Sequence, residues 1–190
     1  MNNSGIVSEA LAIQKIIKLA AANGMKKLII GQNGMISTPA SSEVLLKNHA
    51  DGGLVLSASH NPGGENGDFG IKYATKSGGQ CSSKISDAIY ARTKEISAFK
   101  IFDAPDVNLQ NLGTQKLGDM EIEVIDPIGI YTEMMENIFD FAAIKKLFAG
   151  GFTMVFDAMN AVTGPYAIKI FEEVLGAPKG SVRNFIPKPD

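Results

Sequence analysis

Residues Gly52 to Tyr73 read GGLVLSASHNPGGENGDFGIKY. The run Leu54-Val55-Leu56 is short, apolar and preceded by two glycines, the pattern of a buried strand. It gives way to a loop holding Ser57, Ser59, His60, Asn61, Pro62 and the pair Gly63-Gly64. After Gly67 the chain alternates again through Phe69-Gly70-Ile71-Lys72-Tyr73, with Lys72 on the opposite face from Ile71 and Tyr73. A hydroxyl, an imidazole and an amine therefore share one strand–loop–strand frame, a setting in which scaffolds present reactive groups. Pro62 fixes one φ angle, and the glycines allow turns and close backbone approach. Bare N–H groups in such a loop suit an anion, phosphate above all. His60 and Lys72 are the groups able to pair with that anion or move a proton. Ser59 and His60 are neighbours, and neighbours on an extended chain point apart, which argues against the nucleophile–base pair of a hydrolase. From spacing alone two readings stand: a polar hairpin turn, or a loop that handles phosphate.

The octet Ser57-Ala58-Ser59-His60-Asn61-Pro62-Gly63-Gly64, followed by Asn66-Gly67-Asp68-Phe69-Gly70-Ile71-Lys72-Tyr73, closely resembles the active-site serine loop of the α-D-phosphohexomutases. The likeness is closest to the eukaryotic-type phosphoglucomutases. Upstream, Ala20 to Gly24, Ile30 to Gly34 and Ser37-Thr38-Pro39-Ala40 resemble the first domain of such an enzyme. Downstream, Phe139-Asp140-Phe141, Phe156 to Asn160 and Gly164-Pro165-Tyr166 resemble the start of its second. Ser57 stands where the family usually carries threonine.

The resemblance implies an α/β fold with mixed, largely parallel sheets and helices on both faces. It divides the chain into residues 1–119, most of the first domain, and 120–190, linker helices and the start of the second. It implies interconversion of glucose 1-phosphate and glucose 6-phosphate, with Ser59 as the phosphoserine and glucose 1,6-bisphosphate as intermediate and activator. Mg²⁺ is expected beside the Ser59 phosphate. By motif match His60 and Lys72 are candidates for proton transfer and phosphate pairing, in either order, and Asn61, Gly63 and Gly64 support the loop. The partners implied are small hexose phosphates, on a monomer or weak dimer. The family's Asp-Gly-Asp-Gly-Asp metal loop does not occur in the sequence. The chain is thus expected to be about a third of such an enzyme and inactive alone, since Ser59 by itself cannot complete an octahedral Mg²⁺ shell. Alternatives of the same chemistry are phosphomannomutase or sugar-bisphosphate synthase activity. From other classes come a non-catalytic phosphoprotein paralogue and a bare phosphate-binding domain.

Composition sets bounds that agree. A chain of 190 residues has room for one sizeable core or two small ones. Its 45% apolar and 20% charged residues are ordinary for a globular protein. A net charge of −2 gives no footprint for nucleic acid or an anionic membrane. A single cysteine, Cys81, fits a reducing compartment, and no apolar run is long enough to span a bilayer, so the cytoplasm is expected.

In chain order, residues 1–7 are read as an irregular start. Glu9 to Ala22 has helical spacing and ends at Asn23-Gly24. Lys27 to Gly31 reads as a strand, Gln32-Asn33-Gly34 as a tight loop, and Thr38-Pro39 as the cap and first residue of a helix to about His49. This alternation predicts parallel βαβ pairing, with the 32–34 and 59–61 loops on one sheet edge. Further helices are expected over Lys84–Ile96, Pro127–Ile138, Phe141–Phe148 and Pro165–Leu175. Strands are expected over Glu121–Ile125, Phe152–Phe156 and Val182–Ile186, the last with nothing to pair against, and residues 97–118 as an irregular crossing. Asp157 is read as a turn cap, His49 as a helix-end residue, and Met134 and Met135 as packing.

Overall fold

A computed structural model of the chain describes residues 4–63 and 67–188, with side chains from residue 10 onward. Helix α1 (Ser4–Ala22) leads into strand β1 (Lys27–Gly31), a single 3₁₀ turn at Gln32–Gly34, and helix α2 (Thr38–Lys47). The helix starts ahead of the expected Glu9. Strands β2 (Gly52–Leu56) and β3 (Ile71–Thr75) bracket the serine loop and precede α3 (Ser83–Glu95). A hairpin of β4 (Gly113–Leu117) and β5 (Met120–Ile125) is followed by α4 (Pro127–Ile138) and α5 (Phe141–Ala149). Strand β6 (Phe156–Asp157), helix α6 (Thr163–Ala167) with a π-helical continuation over Ile168–Val174, and strand β7 (Val182–Arg183) complete the order.

The fold is mixed α/β, as the sequence implies. β1 and β6 run parallel to β5 and β7, while β2–β3 and β4–β5 are antiparallel. The first core forms where α1 lays Ile17 on Leu117, Met120 and Ile122. Along β5 the residues alternate, with Met120, Ile122 and Val124 inward. On its other face Glu121 and Glu123 both pair with Lys27. Two half-buried carboxylates around one ammonium raise the Lys27 pKa, chiefly through the Glu123 hydrogen bond. A second cluster joins Phe148, Leu175 and Ala177.

Several expectations are corrected. β1 and β2 are not paired: β5 takes the edge of β1, and β3 takes β2 by folding back through the serine loop. α2 does not return its strand beside β1 but packs on α4, and its Leu45 side chain lies against Gly53 of β2. The 97–118 crossing contains strand β4. Its partner β5, which the sequence division assigns to the second segment, is the central strand of the first sheet. Ser37, not Thr38, caps α2, its Oγ accepting from Ala40 N at 3.3 Å. The strand expected over Phe152–Phe156 shrinks to Phe156–Asp157, because its partner offers only two residues. That partner is the last strand, which does pair, Phe156 with Val182 and Asp157 with Arg183. The helix from Pro165 changes to π-helical winding at Ile168.

Tyr166 ties the two halves together. Its buried hydroxyl accepts a hydrogen bond from Ser37 N at 3.1 Å, across 129 residues of sequence. Its ring meets Tyr131 edge-on at 5.5 Å. Burial raises the phenol pKa, so it stays a neutral hydroxyl. Tyr166→Phe leaves the buried Ser37 amide without its acceptor and is expected to lower stability by about 1–2 kcal/mol in urea denaturation.

Candidate active site

The loop root is closed by backbone. Ser57 N–H donates to Gly70 O at 2.9 Å, and a Cβ on Gly70 would lie 2.4 Å from the Ser57 oxygen, so only glycine fits this approach. Beyond it, Asn61 N–H donates to Ala58 O at 3.2 Å, making a turn with Ser59 at its first central position. Ser59 has φ 63°, in the left-handed region that such a turn normally fills with glycine. That conformation costs an L-residue on the order of 1 kcal/mol and persists only where neighbours hold it, a pattern found most often at functional sites.

Two groups hold it. The Ser59 amide donates to Ser57 Oγ at 3.0 Å. The Lys72 ammonium donates to Ser59 Oγ. Lys72 reaches the loop because Val55, which is buried, lies opposite it across the β2–β3 ribbon. The pair puts the lysine stem on the inner face and frees its charged end to extend along the ribbon. A small cavity of about 110 Å³ beside this stem is lined in part by Thr38, Ser41 and Ser42. Further along the loop, Asn61 Nδ2 donates to Asp68 Oδ2 at 2.6 Å and Asp68 N donates to Pro62 O at 2.9 Å. A Cβ on Gly67 would meet the Pro62 and Gly63 carbonyl oxygens at 2.3 and 2.6 Å. Gly63 bridges to Asp68.

The structure thus brings together Ser59, Asn61, Gly63 and Lys72 of the residues singled out in the sequence. Gly64 and Asn66 lie outside the described residues. His60 is exposed at the turn, and Lys72, not His60, meets the Ser59 hydroxyl. Ser57 and Asp68 belong to the site through their hydrogen bonds, although the sequence marked the first only as a departure from threonine and the second only as part of a motif. The 32–34 turn does not join them: Asn33 N donates to Leu109 O and Gln32 Nε2 to Gln110 O. Asp157 caps its turn as expected. Met159 N–H and then Asn184 Nδ2 donate to its carboxylate and hold it below the usual range.

Residues 7–100, the stretch that contains this loop, match the family model described as phosphoglucomutase/phosphomannomutase, alpha/beta/alpha domain I. Residues 7–100 belong to the phosphoglucomutase/phosphomannomutase family. The chain is 57% identical to a phosphoglucomutase of Rhizobium radiobacter over 94% of its own length and 33% of that protein's. It is 49% identical to a chloroplastic phosphoglucomutase of Solanum tuberosum over 94% of its length and 28% of the relative's. Among solved structures it resembles the open form of the exocytosis-sensitive phosphoprotein pp63/parafusin, a phosphoglucomutase from Paramecium. The TM-score is 0.89 at 38% identity, over 96% of this chain and 35% of that one. The chain therefore spans about a third of the length of the relatives it matches.

The residues of this chain do not by themselves fit Mg²⁺. Ser59 Oγ faces an ammonium, and the loop carboxylate of Asp68 is committed to Asn61. Among the described residues no group of three or more His, Cys, Asp or Glu side chains could hold a metal ion. No helix among them is long and apolar enough to cross a membrane.

Proposed function

We propose that this chain carries the phosphoserine loop of a phosphoglucomutase, a phosphohexomutase of the isomerase class that interconverts glucose 1-phosphate and glucose 6-phosphate through glucose 1,6-bisphosphate. The observation that carries this reading is the Ser59 hydroxyl, held on a strained turn at the end of a strand with the Lys72 ammonium upon it. Relatives named phosphoglucomutase support glucose phosphates as the substrates.

A phosphate on Ser59 places about −1.5 to −2 charges beside the Lys72 ammonium, which neutralises part of them and fixes the group's direction. When it is transferred, the bond between phosphorus and Ser59 Oγ breaks as a sugar hydroxyl oxygen bonds to phosphorus. Ser59 Oγ then takes up a proton and the sugar hydroxyl gives one up. Lys72 is placed to give the first of these protons, since it already donates to Oγ. His60, exposed on the same turn, is assigned to the substrate side. Asn61 and Gly63, with Gly64, shape the loop that receives the phosphate. The reverse transfer uses the same atoms in the opposite order.

The remaining assignments accompany this reading. Mg²⁺ neutralises phosphate charge when bound, and its further protein ligands lie beyond this loop. The first domain is taken to include β5, because that strand is the centre of the first sheet, and the second to begin with α4. A monomer or weak dimer in the cytoplasm completes the proposal, and the 190-residue chain alone is expected not to turn over hexose phosphates. Lys72→Met keeps the apolar stem and removes the ammonium. In the protein as the cell makes it, the variant is expected to lower kcat for glucose 1-phosphate by about 100-fold or more in a coupled assay. An unchanged kcat would remove Lys72 from the mechanism, and turnover by the isolated 190-residue chain would contradict the claim that it lacks part of the site.

A further inference from the structure

We infer that Ser57 is a positioning residue for Ser59, and that its hydroxyl sets the direction in which Ser59 Oγ is presented for phosphoryl transfer. The inference rests on the phosphoserine reading above and deepens it. Ser57 is anchored on one side by the backbone: its N–H reaches Gly70 O at 2.9 Å, at an approach that allows no Cβ on Gly70. On the other side its Oγ accepts the Ser59 N–H at 3.0 Å. The half-buried hydroxyl thus joins the rigid end of the β2–β3 ribbon to a residue that would otherwise leave its left-handed conformation.

Among the described residues, the other side chain that constrains Ser59 is Lys72, and that contact cannot survive the reaction unaltered. When Oγ carries phosphate, the ammonium has phosphate oxygens to pair with. The Ser57 contact is made to a backbone N–H and is indifferent to whether Oγ is free or phosphorylated. It is therefore the restraint common to both states of the serine. A hydroxyl on Cβ is all the role requires, so threonine would serve and alanine would not. Positioning of this sort acts on the reacting geometry more than on binding, because a small misplacement of the attacking or leaving oxygen is felt in the transition state.

Amide hydrogen exchange of Ser59 in the protein as the cell makes it tests the contact, in wild type, Ser57→Ala and Ser57→Thr. Losing one hydrogen bond is expected to speed exchange at Ser59 about fivefold in Ser57→Ala, with Ser57→Thr restoring the wild-type rate. The amides of Val55 and Lys72, paired across the ribbon, should keep their rates in all three. Equal exchange at Ser59 in wild type and Ser57→Ala, or acceleration shared by the whole ribbon, would overturn the inference. In the protein as the cell makes it, Ser57→Ala should lower kcat for glucose 1-phosphate about tenfold with KM unchanged, and Ser57→Thr should recover it. A rise in KM with kcat intact would overturn the positioning role. Wild-type protein with no mutase activity would sink the phosphoserine reading instead, while the exchange result would still decide whether the Ser57 contact holds the turn.

Discussion

Ser59→Ala, in the protein as the cell makes it, loses phosphate uptake from glucose 1,6-bisphosphate and mutase turnover by at least about a thousandfold. Alanine removes the only atom at this position that can carry a phosphoryl group, and a missing nucleophile is among the largest single losses an enzyme can suffer. The fold should hardly register the change. Ser59 is exposed, and among the described residues its hydroxyl bonds only to the Lys72 ammonium. Backbone strain makes a second variant informative. Because Ser59 sits at φ 63°, Ser59→Gly fits the turn without the penalty an L-residue incurs, so it should match or exceed the stability of Ser59→Ala while being equally inactive. Labelled phosphate on the protein, read together with urea midpoints, separates the two effects. Residual phosphate uptake near the wild-type level in either variant would place the acceptor elsewhere.

Ile122→Ala is expected to lower stability by about 3–4 kcal/mol, a large share of what a domain of this size possesses. Ile122 is fully buried, with 0% exposure, and sits in the middle strand of the first sheet. It packs with Ile17 of α1 and with Leu117 and Met120 of the hairpin, so truncation leaves a void that three elements would have to collapse to fill. Ile89→Ala on α3 is the control. That residue is 47% exposed on a helix with no buried side chains, and its truncation should change stability by less than about 0.5 kcal/mol. Equal losses in the two variants would mean that the α1–β5 contact is not the principal core.

Much of the fold could be read from local signals. Period and caps mark α2, α4 and α5, where Ser37, Asp126 and Asp140 accept from the first-turn amides as their residue types suggest. Thr38 reads as the cap because it precedes Pro39, but serine and threonine stand side by side there and only the geometry selects between them. What local signals could not supply was the pairing. β4 reads Gly-Thr-Gln-Lys-Leu, mostly polar and exposed, and carries no apolar alternation. The signal that could have revealed it is Gly118-Asp119, two residues between Leu117 and Met120 with φ +59° at Gly118, a tight hairpin turn. Short connections suggest that β1 and β2 pair, yet β1 takes its partner from a distant hairpin and β2 from its own loop's return. β7 stops early because Asn184 turns left-handed at φ 47° and gives its side chain to Asp157.

The serine loop shows the same division. Ser59, His60 and Lys72 stand out by residue type and by the company they keep in the motif. The roles of Ser57 and Asp68 depend on which hydrogen bonds close the loop, and bonds of that kind follow no period. The positive φ at Ser59 could not be inferred either, since serine is not a residue that advertises it.

The most direct test of the central claim is peptide mass spectrometry across the loop, on protein isolated from its native cell with phosphatases inhibited. A phosphoserine carrying a loop phosphate predicts a phosphorylated fraction at Ser59, with Ser57 in the same peptide unmodified. Peptides with Ser59 bare throughout, from protein that is active on glucose 1-phosphate, would contradict it.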